Sequence, residues 1–178
     1  MDSTVKTILL LRHAKSAWSD PRLDDHERPL SKRGERAAEA MADHVAHRAA
    51  RPDLILCSTA LRTRQTLAPL LKRLGSPSPP IALEKDLYLA TEDMMLARLR
   101  ALSQEVRNVL LIGHNDGIWH LAKALVGRRS GPQGEALGQK YPTGALVTLR
   151  LPDGPWSDLD WGSAELLGFV KPRDLAVT

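Results

Sequence analysis

The chain has 178 residues, a formal net charge of +4 and one cysteine, a length that suits a single domain, 1–178, with its own core. Its 43% hydrophobic and 26% charged content excludes a disordered chain, and Cys57 alone excludes a disulfide scaffold or a CxxC metal knuckle. No apolar run reaches the roughly 18 residues that a membrane helix needs, so the class left is a globular domain whose 25 Lys+Arg against 21 Asp+Glu suit an anionic partner.

In chain order, Val5 to Leu11 (VKTILLL) reads as a buried strand that ends in Arg12-His13-Ala14-Lys15-Ser16. Residues 19–30, with two prolines and several charges, read as a loop. Ser31 is placed to cap a helix to about Ala50, carrying Ala37, Ala38, Met41, Val45 and Ala49 at three- and four-residue spacing. Leu54 to Cys57 is a second buried strand. Ser58 or Thr59 is expected to cap a helix that runs to Leu74 and closes at Gly75, with Pro69 arguing against its continuity. After a proline-rich turn, 76–80, Ile81 to Leu89 contains a weaker strand. Thr91-Glu92-Asp93 opens a helix that turns Met95, Leu96, Leu99 and Leu102 inward.

Val109 to Ile112 is a third clear strand, ending in Gly113-His114-Asn115, and Ile118, Leu121, Ala122 and Leu125 form a helical stripe stopped by Gly127. Residues 127–142, with four glycines and two prolines, read as a flexible loop. Ala145 to Leu151 and Glu165 to Val170 read as late strands. Repeated strand and helix units followed by strands predict an α/β fold: a three-layer α/β/α sandwich around a mostly parallel central sheet.

Open α/β sheets bind ligands beyond the carboxyl ends of their strands. Three such ends here carry Arg12-His13, Ser58 to Arg62, and Gly113-His114. If those strands are parallel neighbours, two arginines and two histidines meet at one rim. Arginine forks hold phosphate oxygens, a neutral imidazole can attack phosphorus, and a second histidine can donate to an equatorial oxygen.

The motifs themselves resemble a known family. Leu11-Arg12-His13-Ala14-Lys15-Ser16 resembles the Arg-His-Gly signature of the histidine phosphatase (phosphoglycerate mutase-like) superfamily. Ser58-Thr59-Ala60-Leu61-Arg62-Thr63-Arg64-Gln65-Thr66 resembles its second motif, and Gly113-His114-Asn115-Asp116 its Gly-His motif. Asp25 to Leu30, followed by Arg33-Gly34, resembles the segment after the first motif. The Arg-His-Ala-Lys-Ser-x-Trp variant, the Tyr141 to Ala145 segment and the closing Lys171 to Leu175 are similar to the SixA-type phosphohistidine phosphatases.

The resemblance implies a covalent phosphohistidine intermediate on His13, with Arg12 and Arg62 clamping the phosphoryl group and His114 completing the pocket. It implies no metal and no other cofactor. The partner is expected to be a phosphorylated protein bearing phosphohistidine or a small phosphorylated molecule.

Three departures stand out. Ala14 replaces the glycine after the histidine, and Thr59 replaces a proline. The glutamate segment in which larger members keep a general acid is missing. Asp86 is the best positional candidate for that acid, and Glu84 the second. A weak acid position favours a phosphoramidate, because a protonated phosphohistidine ring leaves as neutral imidazole and an alkoxide does not.

Ser16 and Ser19 are placed to touch the phosphate or its entry, with Ser19 the candidate for substrate binding. Lys15, Arg28, Lys32 and Arg33 are candidates for a basic rim. The four tryptophans show no interleaving with basic residues, so a nucleic-acid partner is not expected. The first residues have no leader-like cleavage site, and a cytoplasmic setting is expected. Two other readings stay open: a general small-molecule phosphomonoesterase of the same superfamily, and a non-catalytic phosphate- or phosphoprotein-binding module.

Overall fold

The structure, a computed structural model, describes residues 5–175; the first residues, expected to carry no leader, lie at 1–4 outside the described residues. Six strands form one sheet: β1 (Lys6–Arg12), β2 (Leu54–Ser58), β3 (Ile81–Glu84), β4 (Asn108–Gly113), β5 (Leu146–Leu151) and β6 (Glu165–Val170), in the order β3-β2-β4-β1-β5-β6. β1 pairs parallel with β4, β4 with β2, and β2 with β3. β5 runs against both β1 and β6, so it alone opposes the common direction.

The strand pattern explains the layering. Ile8 and Leu10 of β1, with Val109 and Leu111 of β4, face one side; Leu9 and Leu11, with Leu110 and Ile112, face the other, and all are buried. Strands apolar on both faces must be covered twice. Helices α1 (Lys32–Arg48) and α2 (Leu61–Leu74) cover the Leu9 side through Met41, Val45, Leu67 and Leu70. Helices α3 (Glu92–Arg100), α4 (Gly117–Val126) and α5 (Gly131–Gln139) cover the other through Met95, Leu99, Leu121, Leu125 and Leu137. The expected α/β/α sandwich is the fold. No helix among the described residues is long and apolar enough to cross a membrane.

Two local expectations need correction. The segment 127–142 is not a plain loop, because it contains α5. Glycines at 131, 134 and 138 hide the helix from a propensity reading, and tertiary contacts impose it. Leu137 is buried, its carbonyl accepts the Trp119 indole N–H at 2.7 Å, and Gln133 accepts the Phe169 amide at 3.0 Å. The second correction concerns the start of α2, whose N-cap is Ala60 rather than Ser58 or Thr59. The Ser58 hydroxyl is instead committed to His114, and the Thr59 hydroxyl to His26. Helix α2 also continues through Pro69 to a Gly75 with φ of 69°.

The chain leaving β1 is pinned to both α1 and α2. Ser31 caps α1 by accepting from the Gly34 amide at 3.0 Å, and its own N–H and O–H both reach the Lys15 carbonyl. The Ala14 amide donates to Thr66 Oγ1 of α2 at 3.0 Å, while Thr66 donates back to the Arg62 carbonyl. Gly34 is required by close approach, since a Cβ there would sit 2.0 Å from the Lys15 carbonyl oxygen. Gly34→Ala is therefore expected to lower stability by about 1–3 kcal/mol despite alanine's better helix propensity, as measured by urea denaturation.

Candidate active site

The parallel register carries the three motif ends to one rim. Arg12 of β1 lies opposite Gly113 of β4, the His13 amide donates to the Gly113 carbonyl at 3.1 Å, and β2 delivers Ser58 next to β4. The later chain closes the same rim. Gly144, at φ of 75°, donates its amide to the carbonyls of Arg12 and His13, and the Tyr141 carbonyl accepts from Arg12 Nη1 at 2.8 Å. The result is a pocket of about 340 Å³ lined by Arg12, His13, Asp25, Arg28, Arg62 and His114.

His13 Nδ1 lies 2.7 Å from the carbonyl oxygen of Ala14. A carbonyl only accepts, so Nδ1 carries the proton and Nε2 keeps its lone pair. Burial lowers the His13 pKa to about 4, partly opposed by the Ala14 hydrogen bond and reinforced by the charges of Arg62, Arg12 and Arg28. His13 is thus a neutral imidazole at pH 7 with a nucleophilic nitrogen.

The ring centroid of His114 is 5.3 Å from that of His13. Its Nε2 sits 2.8 Å from Ser58 Oγ, which also accepts the Ala60 amide. If the Ser58 hydroxyl donates to Nε2, every bond is satisfied and Nδ1–H is left over. His114 Nδ1 is indeed buried without a partner, as is Arg12 Nε. Two unpartnered nitrogens beside one cavity suit an arriving anion. Burial, with the neighbouring His13, Arg62 and Arg12, lowers His114 to about 3, against a smaller opposite effect of Asp25.

Arg62 is 4% exposed and enters from the first turn of α2. Asp25 fixes its guanidinium, with Arg62 Nη1 on the Asp25 carbonyl at 2.6 Å and Nη2 on its carboxylate at 2.9 Å. The same carboxylate accepts from Arg28 at 2.7 Å and from the Tyr88 hydroxyl. Burial alone would raise the Asp25 pKa, but the hydrogen bonds from Tyr88 and Arg62 and the charges of Arg62 and Arg28 hold it down to about 2. Arg28 also donates to Ser16 and to the Ala17 carbonyl, and lies 3.1 Å under the centroid of the Trp18 ring.

Arg12, His13, Arg62 and His114, expected together from sequence, meet in the pocket. Three other expectations do not lead there. Asp86 is exposed on the 3-10 turn Lys85–Leu87 and does not line the pocket; Glu84 is held by Arg98 at 2.7 Å. Ser19 is also exposed and outside the lining, whereas Ser16 is buried and part of it. Arg28, expected on a surface rim, is 7% exposed and belongs to the pocket.

Asp25, Ser58 and Tyr88 escaped sequence reasoning as site residues. The i,i+3 pair Asp25 and Arg28 was a local signal, but nothing local links Asp25 to Arg62 or Tyr88. Among the described residues, no group of three His, Cys, Asp or Glu side chains could hold a metal ion.

Comparison with known proteins agrees with this geometry. The family model of the histidine phosphatase superfamily, branch 1, matches residues 8–88. An uncharacterized protein of Mycobacterium tuberculosis is 34% identical over 165 residues, covering 92% of this chain and 100% of the relative. Two structures assigned as the phosphohistidine phosphatase SixA also match. The one from Nakamurella multipartitia has a TM-score of 0.81 and 31% identity, over 94% of this chain and 96% of the other. The one from Agrobacterium tumefaciens has a TM-score of 0.79 and 33% identity, over 94% and 98%. The chain belongs to the histidine phosphatase superfamily, within its SixA-type group, and is a phosphatase.

The two lowered imidazoles define a pH test. Each binds a proton more weakly folded than unfolded, where histidine titrates near 6.5. The unfolded chain therefore takes up more protons as pH falls below 6.5, and folded stability declines from there toward about 4 for His13 and about 3 for His114. Nitrogen-15 NMR is expected to show both rings still neutral at pH 5.5; a His13 midpoint near 6.5 would contradict the burial effect.

Proposed function

We propose that this phosphatase removes phosphate from phosphohistidine in a protein partner, with His13 as the nucleophile and no metal ion. The observation that carries the substrate class is the state of Asp25, the only carboxylate among the described residues that line the pocket. Asp25 is committed to Arg62, Arg28 and Tyr88 and is ionised at neutral pH, so it has no proton for an alkoxide. A phosphohistidine ring protonated on its second nitrogen needs none.

In the first step, His13 Nε2 attacks phosphorus and the substrate P–N bond breaks. Its electron pair stays on the leaving nitrogen, and the substrate ring departs neutral. In the second step, water attacks phosphorus and the P–N bond to His13 breaks. His13 returns to its neutral form with Nδ1–H still on the Ala14 carbonyl, and the water proton goes to phosphate. Arg12, Arg62 and His114 Nδ1–H face the charge that spreads over the equatorial oxygens. A cytoplasmic setting belongs to this reading.

A phosphohistidine protein and a panel of sugar phosphates, assayed side by side, test the substrate class. Faster turnover of the phosphohistidine protein is expected; faster sugar phosphates would replace the reading with a general phosphomonoesterase. Rapid quenching is expected to trap an acid-labile, base-stable phosphoenzyme that His13→Ala lacks. If wild-type enzyme forms no such adduct during turnover, the covalent route fails. Arg62→Ala is expected to lower kcat/KM by about 10²–10³, as loss of one charge-stabilising donor does.

A further inference from the structure

A second, larger groove of about 670 Å³ adjoins the pocket, sharing Arg12, Lys15 and Thr143 with it. Its charged lining is Arg12, Lys15, Arg33, Lys140, Lys171 and Arg173, with no carboxylate among the described residues that line it. These cations come from the end of β1, from α1, from the end of α5 and from the C-terminal 3-10 turn, Pro172–Leu175. Lys15, Arg33, Lys140 and Arg173 form no ion pair with any described residue. Elsewhere several arginines are paired, Arg73 with Glu39 and Asp43, Arg98 with Glu84, Arg150 with Glu165, while Arg64 and Arg129 meet only backbone carbonyls. Six like charges around one groove repel one another in the free protein, and an anion arriving from outside removes that cost.

The character of the lining selects the occupant. A small anion is held by buried, converging donors, as in the His13 pocket. Here Lys15, Arg33, Lys140 and Arg173 are exposed and spread over separate segments, which suits carboxylates spaced along a polypeptide. No aromatic ring lines the groove, so it offers nothing for a nucleobase to stack on. Trp18 and Leu89, 76% and 55% exposed, line the His13 pocket but not the groove. The pocket thus has an apolar rim in addition to its basic neighbour, and a polypeptide is long enough to touch both.

We propose that the basic groove of Arg33, Lys140 and Arg173 binds an acidic segment of the protein substrate while its phosphohistidine occupies the His13 pocket. The proposal rests on the phosphohistidine reading, and its test separates the two. The probes are two synthetic helical peptides, each with one histidine, one bearing four glutamates on the adjoining turns and the other glutamines in their place. Both are used unphosphorylated and after treatment with potassium phosphoramidate.

At low salt the phosphorylated glutamate peptide is expected to show kcat/KM at least tenfold above the glutamine peptide. That advantage should vanish in 0.5 M NaCl and in Arg33→Glu/Lys140→Glu/Arg173→Glu, with unchanged turnover of the glutamine peptide marking an intact site. The milder Arg33→Gln/Lys140→Gln/Arg173→Gln variant is expected to fall between. By fluorescence anisotropy, the unphosphorylated glutamate peptide should bind the wild-type protein at least tenfold more tightly than the triple variant.

Failure to hydrolyse either phosphopeptide would overturn the phosphohistidine reading, and the binding measurement would still decide the groove. Equal binding of the glutamate peptide to wild type and triple variant would overturn the docking proposal. So would a groove dependence seen only with inorganic tripolyphosphate or with an oligothymidylate, which would assign the groove to a small polyanion or to nucleic acid.

Discussion

The site depends on one carboxylate. Arg62 is almost fully buried before any phosphate arrives, and a buried guanidinium without a partner costs several kcal/mol. Asp25 supplies the counter-charge, and through Arg62 and Tyr88 it ties the 19–30 loop to α2 and to the segment after β3. It also sets the orientation of the Arg62 fork, whose two nitrogens are held by the Asp25 carbonyl and carboxylate together. Because Asp25 remains 45% exposed at its side chain, water shares in stabilising it, and the pair is less costly than one sealed in the core.

That same pairing separates the roles of the two histidines from those of the arginines. The cations stay charged and oriented; the imidazoles, pushed down by burial and by those cations, stay neutral. His13 is polarised by a backbone acceptor on one nitrogen, and His114 is anchored by Ser58 on one nitrogen. Each ring therefore presents one atom to the cavity, and the two differ: a lone pair on His13 and, with Ser58 donating to Nε2, a proton on His114.

The fold was largely legible because its signals are local and repeated. Apolar runs such as Ile8 to Leu11 and Val109 to Ile112 announce strands, and Ser31 and Thr91 cap the helices they precede. Helix α5 was not legible, since its glycines deny it propensity and its support from Trp119 and Phe169 comes from distant chain. In the site, Arg12, His13, Arg62 and His114 were legible because each follows a strand in a recognisable motif. Asp25 and Tyr88 were not, since their meaning lies in contacts across 37 and 63 residues. Asp86 and Ser19 illustrate the opposite error: sequence position placed them near the chemistry, and the backbone turned them to solvent.

Strand β5 runs against its neighbours, so the chain re-enters the sheet where β1 leaves it. The histidines and Arg62 come from the parallel units, whereas Lys140, Lys171 and Arg173 come from segments that flank β5 and β6. Length changes between α4 and Lys140, ahead of the Tyr141 to Gly144 stretch that closes the rim, or after β6, would rebuild the groove without touching the β1 and β4 register. On the proposed docking of an acidic segment in the groove, partner choice and bond cleavage are separately evolvable. Descendants of one ancestral domain can diverge in whom they serve while sharing an unaltered reaction centre.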